Sequence, residues 1–194
     1  MAQLEIDFPK VLSSKRPKVG DTVFIAIDGQ GGSGKSTLAA LLSRKLNAQV
    51  VRTDDFASWD NPLDWWPLVV ERIFMPIKSG AKTLSYPRSE WWDKHNPGPM
   101  MDQPVTNPMI LEGVSASRKE FRDYLSLIFF VDTPKELCLQ RGLERDAETG
   151  HTREALISMW EGWFEAEDRY MERDKPKMYA DFVLDGTKPF DQQI

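Results

Sequence analysis

The sequence predicts an α/β fold: a five-stranded, mainly parallel sheet between two layers of helices. Three observations lead there. Short runs rich in β-branched and aromatic residues, at 22–28, 49–52, 109–113, 127–132 and 181–185, read as buried strands. Stretches of helical periodicity separate them, at 36–46, at 134–143 and in a long segment reaching about Asp174. Several strands run into carboxylates or glycines, as working strands of an open parallel sheet do at their C-terminal ends.

The 194 residues suit one domain with a substantial core. Residues 1–20 form an N-terminal extension, with Lys10, Lys15, Arg16 and Lys18 near Pro9 and Pro17. It is either a short element laid over the domain or a loose arm. The domain proper runs from 21 to 194. After its first strand comes Gly29-Gln30-Gly31-Gly32-Ser33-Gly34-Lys35-Ser36, which fits G-x-x-x-x-G-K-[ST] in the required strand–loop–helix setting. Glycines let the backbone turn its N–H groups inward as a nest for anionic oxygens. The helix N-terminus adds free N–H donors and partial positive charge. Gly29, Gly31, Gly32, Ser33, Gly34, Lys35, Ser36 and Thr37 are therefore the expected nucleotide-binding residues. Lys35 is expected to reach the β- and γ-phosphates, and the Ser36 hydroxyl to hold Mg²⁺.

The second strand ends in Thr53-Asp54-Asp55-Phe56, putting carboxylates on the side of the glycine loop. Asp55 also suits a turn or helix cap. From 57 to 103 the composition shifts, with Trp59, Trp65, Trp66, Trp91 and Trp92 among many prolines. The segment reads as an insertion walling the acceptor, with aromatic faces for stacking, although packing also accounts for most of its tryptophans. Inside it, a helix is expected from near Pro62 to before Gly80, then a short extended piece at 82–87. The third and fourth strands end in Glu112 and Asp132, either of which can serve the Mg²⁺ shell. Beyond them lie Arg141, Arg145 and Arg153, and then Trp160, Trp163 and Phe164 at core-like spacing. Arg141 and Arg145, four apart, share a helix face.

The totals exclude several classes. A formal net charge of −5 gives no reason to expect nucleic acid or an anionic membrane. The single cysteine, Cys138, cannot form an internal disulfide and reads as a buried helix residue rather than a nucleophile. The expectation is a cytoplasmic protein, since no apolar run reaches membrane-spanning length and no signal-peptide core opens the chain. Neither His95 nor His151 suggests a metal site, and no Asn-Lys-x-Asp guanine-recognition sequence supports a regulatory switch.

Several of these elements together resemble the uridine kinase group of P-loop small-molecule kinases, with phosphoribulokinase and pantothenate kinase. They are the glycine loop, Thr53-Asp54-Asp55-Phe56, Leu111-Glu112-Gly113, Arg141 with Arg145-Asp146, and Tyr179-Ala180-Asp181-Phe182-Val183-Leu184. The resemblance covers nearly the whole chain after about Thr22. It implies a P-loop NTPase three-layer sandwich using ATP and Mg²⁺, an acceptor-binding insertion at 57–103 and an arginine lid at 141–153. In that family the first aspartate of the Asp-x-Phe element is the general base, which here is Asp54. A hydroxyl acceptor must lose its proton as it attacks, whereas a phosphate acceptor needs no base, so Asp54 favours a hydroxyl. The resemblance also puts Asp60 at sugar hydroxyls, and Phe56, Tyr86, Glu90 and Arg153 on the acceptor side. Arg141, Arg145 and Arg153 match the family's lid over the triphosphate. It favours Glu112 over Asp132 for the metal, because the third strand adjoins the P-loop strand in that fold. Ser89 stands where relatives carry a tyrosine, and His95 is out of register with an expected histidine; both departures touch base recognition. The expected activity is phosphorylation of a small hydroxyl-bearing metabolite, with a nucleoside such as uridine or cytidine the leading acceptor. Pantothenate, a sugar, a nucleoside monophosphate and a P-loop switch are the alternatives, and self-association into a homo-oligomer is left open.

Overall fold

The computed structural model describes residues 8–58, 61, 63–88 and 98–194. Trp59, Asp60, Pro62, Ser89, Glu90, Trp91, Trp92 and His95 therefore lie outside the described residues. The chain opens with helix α1 (Phe8–Ser14), then strand β1 (Phe24–Gly29), helix α2 (Lys35–Leu46) and strand β2 (Gln49–Arg52). A helical stretch follows as α3 (Trp66–Val69), one π turn (Val70–Phe74) and α4 (Met75–Lys78). Next come strands β3 (Thr83–Pro87), β4 (Met100–Pro104), β5 (Met109–Glu112) and β6 (Leu127–Asp132). The chain closes with helices α5 (Lys135–Asp146), α6 (Arg153–Asp174) and α7 (Pro176–Tyr179) and strand β7 (Phe182–Asp185).

The main sheet has five strands in the order β2-β5-β1-β6-β7, every pair parallel. The P-loop strand β1 sits at its centre. Strand residues alternate between the two faces, as a period of two requires. Phe24, Ala26, Met109 and Leu111 join one core with Val69, Ile73, Phe74 and Ile77 of the helical stretch 66–78. Ile25, Ile27, Ile110 and Phe129 join the other with Leu38, Ala39 and Leu42 of α2. Both faces are covered, which explains why these strands read as unbroken apolar runs. No helix among the described residues is long and apolar enough to cross a membrane.

The leading segment is laid over the domain from residue 8 onward. Phe8 is buried against Phe129, the Ser126 hydroxyl donates to Arg16 O, and Lys15 pairs with Asp181 at 2.6 Å. Two expectations for 57–103 need correction. The helix begins at Trp66, not near Pro62, because residues 63–65 are non-helical and Pro67 supplies the favoured first-turn proline. Its π turn stands just before Pro76, whose ring clashes with the preceding turn of a regular helix. The second correction is β4, which pairs antiparallel with β3. Met100-Met101-Asp102-Gln103-Pro104 has no β-branched residue, so composition does not announce it.

This hairpin is tied to the sheet by buried polar groups. The Tyr86 hydroxyl donates to Gln103 Oε1 at 3.0 Å, and the Gln103 amide donates to Val50 O at 2.9 Å. Tyr86 is wholly buried and stacks on Phe56, itself in the core, at 5.2 Å between centroids. Trp65 is buried in the same cluster and Trp66 packs against it. The aromatics described in this segment therefore face inward, and Phe56 and Tyr86 are placed in the core rather than on an acceptor wall. Tyr86→Phe should lower stability by about 1–2 kcal/mol, because Gln103 Oε1 loses its donor in a buried setting. Urea unfolding measures this, and nucleotide binding should be unaffected.

Candidate active site

The site forms where β1 stops at Gly29. Gly32 turns the chain at φ +75°, and a Cβ there would lie 2.2 Å from Cys138 O of α5. Only glycine fits so close an approach with that backbone. Gly34 precedes α2, so the N–H groups opening that helix point at the loop's concavity, where an anion is favoured. Lys35 is buried and donates from Nζ to Gln30 O at 2.7 Å. The Ser36 hydroxyl donates to Glu112 Oε1 at 3.1 Å.

Buried carboxylates surround this loop. Asp28 is fully buried and accepts from Gly29 N, the Ser117 N–H and hydroxyl, and the Tyr170 hydroxyl, at 2.6–2.7 Å. It thereby fastens the end of β1 to the loop after β5 and to α6. Burial pushes its carboxyl up against the pull of these donors. Glu112 is also raised by burial, with the Lys35 cation opposing. Glu167 of α6 accepts the Gly31 N–H at 3.0 and 3.2 Å. Burial pushes its carboxyl to about 7, with Lys35 and the Gly31 N–H pulling the other way.

A cleft of about 460 Å³ runs from the glycine loop between Asp54 and α6. Gly31, Gly32, Gly34, Lys35, Ser36, Thr37, Asp54, Glu112, Arg141 and Arg145 of the expected residues line it. Asp54 is exposed on the turn after β2, whereas Asp55 is buried and paired with Arg88 at 3.1 Å. Arg141 donates to Gly186 O at 3.0 Å. Arg145 pairs with Asp146 at 2.7 Å and lies over the Trp160 ring, whose N–H also goes to Asp146 at 3.0 Å.

Other expected residues fall elsewhere. Gly29 gives its N–H to Asp28, and Ser33 lies beneath the loop with its N–H on Gln30 O and its carbonyl accepting from Thr133. Arg153 is exposed at the start of α6 and is not among the residues lining the cleft. Asp132 is exposed and paired with Lys177 at 2.7 Å, away from Ser36. Strand adjacency does not separate it from Glu112, since β5 and β6 both flank β1; of the two, Glu112 accepts from the Ser36 hydroxyl. Cys138 is buried on α5 with its thiol pushed up to about 11 by burial, as suits an inert residue.

Sequence reasoning missed Asp28, Glu167 and the α6 wall of Leu156, Met159, Trp160 and Trp163. Asp28 carried the same signal as Glu112, a carboxylate ending a buried strand. Glu167 carried another, an acid on the buried stripe of Leu156, Trp160, Phe164 and Tyr170.

The model of the phosphoribulokinase / uridine kinase family matches residues 70–188, more than half of the chain. The chain belongs to that family. The uridine kinase of Mannheimia succiniciproducens is 27% identical over 186 residues, covering 84% of this chain and 85% of that one. The uridine kinase of Vibrio campbellii is 27% identical over 189 residues, covering 84% and 86%. The solved structure of a possible uridine kinase from Bacillus stearothermophilus superposes with a TM-score of 0.59 at 22% identity, covering 84% and 89%, a likeness of fold. As a member of the phosphoribulokinase / uridine kinase family, the chain is an ATP-dependent P-loop kinase of a small molecule.

A Cβ on Gly142 would lie 2.2 Å from the Trp160 ring. Gly142→Ala gains about 1 kcal/mol of helix propensity but forces two helices apart at a rigid ring, so a net loss of about 1–3 kcal/mol is expected in denaturant unfolding. For Glu167 the folded value of about 7 stands above the ordinary 4.5. Its contribution to stability is complete below 4.5 and is lost as pH rises through 7. Relative to Glu167→Gln, the wild type should therefore lose on the order of 3 kcal/mol between pH 4.5 and 8, measured as the difference between their unfolding free energies.

Proposed function

We propose that the chain transfers the γ-phosphoryl group of ATP to a hydroxyl of a small metabolite, with a nucleoside such as uridine or cytidine the leading acceptor. One observation carries this reading: the Asp54 carboxylate and the phosphate-binding loop line the same cleft. The loop N–H groups and Lys35 hold the triphosphate. Asp54 accepts the hydroxyl proton as the acceptor oxygen attacks, and Arg141 and Arg145 neutralise charge developing on the transferred group. A phosphate acceptor would have no use for such a base.

The donor set fits Mg²⁺, which takes oxygen ligands from one or two side chains and fills the rest of its shell with water and phosphate. Ser36 Oγ and Glu112 Oε1 already lie 3.1 Å apart beside the loop, and a cation there offsets the cost of burying Glu112. Mg²⁺ would supply charge neutralisation at the β- and γ-phosphate oxygens. The uridine kinases at 27% identity support a nucleoside as acceptor. Asp60 and Glu90, expected at the acceptor, lie outside the described residues, and Arg153 starts a helix beyond the cleft.

The test is ATP consumption by the purified protein against nucleosides, sugars, pantothenate and nucleoside monophosphates. Uridine or cytidine should stimulate turnover. Asp54→Asn should reduce kcat by roughly 10²–10⁴ with ATP binding retained. Lys35→Ala should cost about 3–5 kcal/mol of transition-state stabilisation. Stimulation by another hydroxyl compound alone would keep the chemistry and change the acceptor. Stimulation by monophosphates alone, unaffected by Asp54→Asn, would overturn the general-base reading.

A further inference from the structure

Glu167 holds an N–H that belongs to the anion nest. Gly31, Gly32, Gly34 and Lys35 line the cleft, and Glu167 lines it with them. Its two oxygens share the Gly31 N–H at 3.0 and 3.2 Å, and the side chain is 6% exposed. A carboxylate so placed stands in for a phosphate oxygen. Accommodating a polyphosphate in the same nest would put two anionic groups together in a setting of low dielectric, where like charges cannot both persist cheaply.

We infer that Glu167 takes up a proton when nucleotide binds, and that its carboxylic acid then donates a hydrogen bond to a phosphate oxygen. One oxygen keeps the Gly31 N–H and the other carries the proton, drawn from solvent. This deepens the kinase reading and rests on it. The groups around Glu167 make the uptake feasible near neutrality. The Lys35 cation on α2 favours the ionised form, whereas Asp28 on β1 and Asp168 beside it on α6 oppose it. Asp168 is itself neutralised in part by Lys135 of α5 at 2.6 Å, and the Cys138 thiol of α5 faces the same region without charge. Burial has already raised Glu167 to about 7, so part of the shift that protonation at pH 8 requires is in place before phosphate approaches, and the phosphate charge supplies the rest. A carboxyl serving merely to fasten α6 to the loop would keep the same protonation state before and after nucleotide binds, and exchange no proton.

The experiment is calorimetric titration of the whole protein with ADP at saturating Mg²⁺, from pH 5.5 to 8.5, in buffers of different ionisation enthalpy. Protonation of the ligand itself cancels in the comparison with Glu167→Gln, which keeps an acceptor for the Gly31 N–H. The wild type should take up close to one proton per ADP at pH 8 and almost none at pH 5.5, and the variant none beyond that of the ligand. The affinity of the wild type, relative to the variant, should fall by up to about tenfold per pH unit above 7. Equal proton uptake by the two proteins at pH 8 would overturn the inference while leaving the kinase reading intact. Wild-type uptake that fails to rise with pH would also overturn it. Failure of the folded wild type to bind ADP at any pH would overturn the nucleotide reading, and this inference with it.

Discussion

A loop whose N–H groups turn inward to meet an anion cannot hold itself in that shape. Its outer surface has to be pressed by something rigid. Here the backing is the α5–α6 pair, in contact with the loop at distances that admit no side chain. A Cβ on Gly32 would strike Cys138 O at 2.2 Å, and one on Gly31 would come within 3.0 Å of both Trp160 and Glu167. The same Trp160 lies against Gly142 one turn beyond Cys138, and its N–H is held by Asp146. The loop, the helix bearing Arg141 and Arg145, and the helix walling the cleft are thus one packed unit. Displacing any of the three disturbs the other two, and with them the floor of the cleft.

The electrostatics of this unit are unusual for an anion site, because its immediate surroundings are acidic. Asp28 ties down the strand end, Glu112 meets Ser36, and Glu167 meets Gly31. Each carboxyl is raised by burial. What offsets them is local: the Lys35 cation, the N-terminus of α2 and donors aimed from the backbone. These acids position the donors that a phosphate needs, at a cost in stability that grows as they ionise.

The aromatic residues of the segment after β2 and those of α6 divide by environment. Phe56, Trp65 and Tyr86 stack inward beneath the β3–β4 hairpin, where a hydroxyl and a glutamine amide complete a buried hydrogen-bonded link to β2. The described wall of the cleft comes instead from α6, through Leu156, Met159 and Trp163, with Leu63 also lining it. The cleft is thus apolar along α6 and carries a carboxylate, Asp54, at its other side.

Much of this was legible in the chain alone, for a physical reason. The glycine loop, the strands flanking it, the turn after β2 bearing Asp54, and the arginines of α5 are local patterns. Spacing along the backbone is enough to bring their working groups to one sheet edge. Glu112 could be narrowed to one of two carboxylates on the same grounds. Strand β4 escaped because its pairing, not its composition, makes it a strand. The inward turn of Phe56 and Tyr86, the removal of Arg153 from the cleft and the contact of Ser36 with Glu112 depended on neighbours distant in sequence. So did the meeting of Gly31 with Glu167, which lies 136 residues further on. Local chemistry in the sequence determined the glycine loop, the strands that flank it and the turn that carries Asp54. Only tertiary packing decided which acids press on that site, because burial and Coulomb partners are properties of the folded neighbourhood.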